Sequence, residues 1–274
     1  MAWVVCLVAL GFSGWLGVFG ESQGWLSAQG RYLVQALVMA SLVIGGTAVL
    51  RRHFGTPQNM GVGHLTRGLK HFALGVGIMA LPFAITLTLS SALGWVTLQA
   101  NFSGPLLQGH AVAILAVLLF EAIPEELAFR GYIFGALHER HPILRSATIQ
   151  VLLFLILPLV LAPISYYGFG FSSWPGEGPW PGGGYIINML LFGGFATYLR
   201  ILSGSIWLGV GFHFMFVYIN RLFGLGETSL LQATHYTHEP YMQAVLLCGL
   251  VLMLIALLVV PWIRRKRVDI STAQ

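Results

Sequence analysis

AVAILAVLLFEAIPEELAFRGYIFGAL, residues 111–137, decides the fold. It is long and apolar enough to cross a bilayer core, which takes about 20 residues of helix. Yet Glu121, Glu125, Glu126 and Arg130 sit inside it. A charge at the bilayer centre costs at least about 2.5–3.5 kcal/mol on insertion scales, so such groups mark a functional site by default. Spacing supplies part of the compensation. Glu121 and Glu125 stand i,i+4 and share a helix face, and Glu126 and Arg130 stand i,i+4 and can pair. Three carboxylates beside one guanidinium crowd like charge, which suits a group that takes and gives protons as a general base does. Pro124, in the same turn, has no N–H and frees the carbonyl of Phe120, so a kink is expected there.

The rest of the chain agrees with a membrane setting. Of its 274 residues 57% are hydrophobic and 8% charged, with mean hydropathy +0.80. A soluble domain carries about 25% charged residues to cover its surface. The apolar runs are unbroken rather than alternating, which excludes a barrel and leaves helices. Spans are expected near 2–19, 32–50, 71–97, 111–137, 146–168, 185–200, 204–222 and 242–262. The fold class is therefore all-α, a polytopic transmembrane helical bundle of about eight helices. The first span lacks a basic leading region and a small-residue cleavage site, so it reads as an uncleaved helix. Cys6 and Cys248 lie in apolar runs and read as packing residues, with no disulfide framework and no metal spacing. No internal repeat is visible.

Charge gives the orientation. Arg51, Arg52, Arg67, Lys70, Arg140, Arg145, Arg200 and the tail Arg264, Arg265, Lys266 and Arg267 fall on one side. The other side holds Arg31 and Arg221 with Glu21, Glu177, Glu227 and Glu239. Basic loops stay inside, which puts both termini in the cytoplasm. The net charge of +5 is thus a topology signal, and no nucleic-acid partner is expected. The basic tail is first a topology marker and second a site for anionic lipid. The Gly- and Pro-rich segment 172–184 reads as an outside loop with Trp174 and Trp180 at the headgroups, or more sharply as a gate over the site.

One further residue stands out at depth. His213, in SIWLGVGFHFMFVYIN (residues 205–220), would by itself be a packing residue, but it lies at the depth of Glu125. Asn220 is on the same face, about 10 Å further along the axis.

At these residues the chain resembles the CPBP family of intramembrane proteases, named for CAAX proteases and bacteriocin-processing proteins. EELAFRG (residues 125–131) matches that family's first motif, EExxxR. The stretch 190–220, with its small-residue helix, Gly-Ser-Ile-Trp step and membrane histidine, is similar to the third-motif region. The resemblance divides the chain into helices 1–3 over residues 1–109, a CPBP-like core over 110–222, and a loop, last helix and basic tail over 223–274. It implies that Glu125 is the general base, Glu126 and Arg130 its supporting pair, and His213 an oxyanion donor; Glu121 and Pro124 are supporting residues by their place on the same helix. Two positions depart from the pattern. The second motif, FxxxH, has Phe154 but Pro158 in place of histidine, and the third, HxxxN, has Val217 in place of asparagine. The FxxxH string from Phe134 to His138 is a coincidence of spelling at the end of a different span.

The expected activity is endoproteolysis of a membrane-anchored peptide or protein by glutamate-activated water, in a multi-pass protein of a bacterial cytoplasmic membrane. Two alternatives stay open. One is a non-catalytic member of the fold that binds a peptide or membrane partner, as in immunity or scaffolding. The weaker one is a proton-coupled transporter relaying through Glu121 and Glu125, for which the sequence shows no inverted repeat and no pair of interrupted helices. No cofactor is expected. Zinc is a minor alternative, because one histidine and the glutamates of a single helix would have to supply three ligands.

Overall fold

The computed structural model describes residues 1–55, 57, 59–171, 178–224 and 229–236. Six helices among them are long and apolar enough to cross a membrane, judged by length and composition: α1 Ala2–Ser22, α2 Ala28–Phe54, α3 Leu65–Ala92, α4 Gly104–His138, α5 Ile143–Gly168 and α6 Gly183–Ser203. A seventh, α7 Ile206–Leu222, is apolar but only 17 residues long. Each of the first seven expected spans coincides with one of these helices. The eighth, 242–262, lies outside the described residues, as do Cys248, Trp174, Glu177, Glu227, Glu239 and the basic tail.

Local chemistry sets the ends. Ser27 caps α2 by accepting the Gly30 N–H at 3.1 Å. Pro105 stands in the first turn of α4, where its missing N–H costs nothing. Gly204 ends α6 with a left-handed φ of 67°, and the Ser205 hydroxyl accepts the Trp207 N–H at 3.2 Å to start α7. The third span stops short of expectation, at Ala92 rather than 97. There Gly94, at φ 70°, lets the Trp95 N–H turn back to the Ser90 carbonyl, and the β-branched Val96 and Thr97 continue as a strand.

That strand belongs to a small sheet which the hydropathy pattern did not announce. β1 Val96–Ala100 runs antiparallel to β3 Leu231–Tyr236, pairing Val96 with Tyr236 and Ala100 with Leu231. β2 Phe223–Gly224 adds to the other edge of β3 in parallel. The sheet joins the end of α3 to the end of α7.

α7 is the most enclosed helix, with residues Leu208 to Phe214 all buried. It packs on α3 through two glycines. A Cβ at Gly75 would collide with the Leu208 carbonyl and come within 2.8 Å of the Phe212 nitrogen, and a Cβ at Gly211 would collide with the backbone of Phe72. Small residues give membrane helices this close approach. α7 also meets the rings of Phe192 and Phe195 through Phe212, and Phe154 and Phe129 pack in turn behind Phe192.

α4 is not uniform. Its turns widen to i→i+5 spacing at Val117–Ala122 and again at Glu126–Ile133, around a short ordinary stretch at Ile123–Glu125. Pro124 cannot donate to the helix ladder, and a widened turn gives its ring room beside the preceding carbonyls. Such segments recur where helices carry function.

Arg200 needs a correction. The charge pattern places it with the solvated basic loops, but it lies in the last turn of α6 and is 3% exposed. Its Nη2 donates to the Asn59 carbonyl at 2.8 Å and to Asn59 Oδ1 at 3.0 Å, and its Nε to the Arg130 carbonyl at 3.2 Å. It thereby straps the α2–α3 connection onto α4. Hydrogen bonds to a charged group contribute about 1.5–3 kcal/mol. Arg200→Met is therefore expected to lower stability by about that amount and to speed hydrogen exchange around residues 59–64. Unchanged exchange there would overturn the strap.

Candidate active site

Successive turns of α4 bring Glu126 and Arg130 together inside the bundle. Arg130 Nη1 donates to Glu126 Oε1 at 2.9 Å, with both side chains 0% exposed. Arg130 Nη2 donates to the Gly193 carbonyl of α6 at 3.3 Å, and the guanidinium lies 4.3 Å from the Phe154 ring centroid. Thr197, one turn along α6, bridges the same carbonyl and the Gln150 amide of α5. Three helices, α4, α5 and α6, are thus tied at the level of Arg130 by polar links that lipid cannot replace.

His213 of α7 closes the pair. Its Nδ1 is 3.2 Å from Glu126 Oε1, and its ring packs edge-on against Phe192 at 4.6 Å. Gly209 makes room for the carboxylate, since a Cβ there would stand 2.5 Å from Glu126 Oε2.

Glu125 takes the other direction. Its Oε2 stands 4.0 Å from His213 Nε2, too far for a hydrogen bond. It borders a cavity of about 190 Å³ shared with Glu121, Phe154, Pro158, Tyr185 and Met189. Glu121 also borders a smaller cavity of about 60 Å³ with Tyr32 and Arg221. Pro124 is buried within the turn that aims these groups.

The departing positions are also accounted for. Pro158 contributes to the wall of Glu125's cavity, and Val217 packs among apolar side chains. Asn220 is exposed and turns its amide back to the Phe216 carbonyl at 3.1 Å, away from His213. His138 is exposed at the end of α4, its ring stacked on Phe134. Among the described residues no three His, Cys, Asp or Glu side chains are grouped as one metal ion would require.

Sequence reasoning did not find Tyr185, Gly209 or the Gln150–Thr197 bridge. None carries a charge, so none violates the hydropathy pattern. It also did not find His110, whose Nδ1 lies 3.2 Å from the Tyr218 hydroxyl and links α4 to α7.

The family model described as type II CAAX prenyl endopeptidase, Rce1-like, matches residues 105–219. Over this segment the chain is similar to the Rce1-like family. The Rce1-like segment runs from the first turn of α4 almost to the end of α7, and so contains Glu121, Glu125, Glu126, Arg130, Pro158 and His213. No curated protein matches the chain. Helices α1–α3 precede the Rce1-like segment and pack against it: Trp3 Nε1 donates to the Leu153 carbonyl at 2.8 Å, and α3 holds α7. Apolar helices and family together make this a multi-pass membrane protein.

Proposed function

We propose that the chain hydrolyses a peptide bond in a membrane-anchored peptide or protein, with Glu125 activating the water. The observation that carries this reading is the unequal setting of two adjacent carboxylates. Glu126 is fully buried against Arg130 and His213, whereas Glu125 borders a cavity of about 190 Å³. At about 30 Å³ per water, that space admits several waters or a short length of peptide backbone.

In the reaction Glu125 accepts a proton as the water oxygen bonds to the scissile carbonyl carbon. The proton then passes to the amide nitrogen as the C–N bond breaks, leaving an acid and an amine. With Nδ1 anchored on Glu126, His213 Nε2 is directed toward Glu125 and can donate to the developing oxyanion when the ring is an imidazolium. Before that proton moves, ionised Glu125 and Glu126 match Arg130 and an imidazolium His213 in charge. The reading includes eight spans, both termini in the cytoplasm and a bacterial cytoplasmic membrane.

A second reading, a non-catalytic protein that holds a membrane partner, draws on Pro158. It borders the cavity where the second motif would bring histidine, and it has no hydrogen to donate.

The test is cleavage of a pooled set of membrane-anchored peptides by purified protein in liposomes. Glu125→Gln is expected to lower the rate about 10²–10⁴-fold with thermal unfolding unchanged. Equal rates for the two proteins would sink the peptidase reading. Peptide binding without cleavage by either would favour the second.

A further inference from the structure

Among the described residues lining the cavity beside Glu125, only Glu121, Glu125 and Tyr185 carry polar side chains. Ionised carboxylates accept hydrogen bonds and donate none. The Tyr185 phenol is therefore the one side-chain donor among the described residues of that lining. It belongs to the first turn of α6, the helix whose Gly193 carbonyl is bound by Arg130 and whose Met189, one turn on from Tyr185, borders the same cavity. It also lies within electrostatic reach of both Glu125 and Glu121. Pro158 lines this same chamber, so the residue without a hydrogen to give and the phenol that has one share a single space.

We infer that Tyr185 supplies the hydrogen bond missing from the second and third motifs, donating its phenol to the carbonyl oxygen of the bond being cut. The inference rests on the peptidase reading. The phenol keeps its proton throughout: it stabilises the oxyanion as the carbon becomes tetrahedral and releases it when the carbonyl re-forms. One such donor accelerates acyl transfer by about 10²–10³-fold. The competing role is that of an aromatic ring resting near a membrane surface, as tyrosines commonly do. That role needs only the ring.

Tyr185→Phe separates the two because it keeps the ring and removes the hydroxyl. Wild type, Tyr185→Phe and Glu125→Gln are compared for cleavage of the pooled anchored peptides, and for affinity toward phosphinate versions of them, whose tetrahedral oxygen mimics the oxyanion. The expected result is a kcat about 10²-fold lower for Tyr185→Phe at unchanged KM, with phosphinate affinity reduced in parallel and affinity for the uncleaved peptides retained. Full kcat in Tyr185→Phe together with a dead Glu125→Gln overturns the role of Tyr185 and leaves the peptidase standing. Full activity in Glu125→Gln removes the peptidase reading and Tyr185's role with it. Where wild type cleaves none of the peptides, equal phosphinate affinity in wild type and Tyr185→Phe overturns the donor.

Discussion

Arg130→Met is expected to destabilise the protein by about 3–5 kcal/mol, the cost of leaving a buried charge without its partner. Glu126 would keep only the His213 contact to one of its oxygens, and its Oε2 has no hydrogen-bond partner among the described residues. The Gly193 carbonyl would lose the guanidinium, as would the Phe154 face that the cation covers. Methionine fills similar space, so the loss is electrostatic rather than a cavity. Thermal unfolding in detergent micelles measures it. The double variant Glu126→Gln/Arg130→Met should recover much of the loss, because replacing both members of a buried pair costs less than removing one. A single variant as stable as wild type would mean that Glu126 is neutral or hydrated, and the charge balance proposed for the site would fall with it.

Why the pair was legible in the sequence while Tyr185 was not follows from how each arises. The Glu126–Arg130 pair is made within one helix, so i,i+4 spacing alone announces it. The contact of His213 with Glu126 joins α7 to α4, and only equal depth in the membrane and the third-motif resemblance hint at it. Helices appeared as hydropathy runs because lipid imposes a run of about 20 residues. The small sheet obeys no such rule. β1 has 5 residues and pairs with β3 more than a hundred positions away, so no local pattern encodes it. Arg200 counts as an ordinary topology charge in the sequence because its partner is a backbone carbonyl of Asn59, which no sequence pattern reveals. The widened turns of α4 could be suspected from Pro124, but their extent to Ile133 could not. Tyrosine is at home in apolar helices, and only the shape of the cavity shows which of them faces Glu125.

The contact between α3 and α7 yields the other large expectation. Gly211→Ala sets a Cβ into the backbone of Phe72, where no flexible side chain can yield, so the helices must separate. Overpacking of this kind costs about 1–3 kcal/mol. His213 lies two residues further along α7, so the same displacement must move its imidazole relative to Glu126. Stability and any Glu125-dependent cleavage should therefore fall together. Gly77, on α3 itself, is the internal control: a Cβ there meets nothing within 4 Å. Gly77→Ala should be neutral, or more stable by up to about 1 kcal/mol from helix propensity. The contrast separates close packing from a general intolerance of α3 and α7 to added bulk. If both variants unfold early, the helices are marginal for reasons other than the contact. If neither does, the close approach of α3 and α7 is not what positions His213. If only Gly211→Ala loses stability, the geometry of the buried cluster is set by a backbone contact made outside the Rce1-like segment, and α3 is part of the site's architecture although it contributes no side chain to its chemistry.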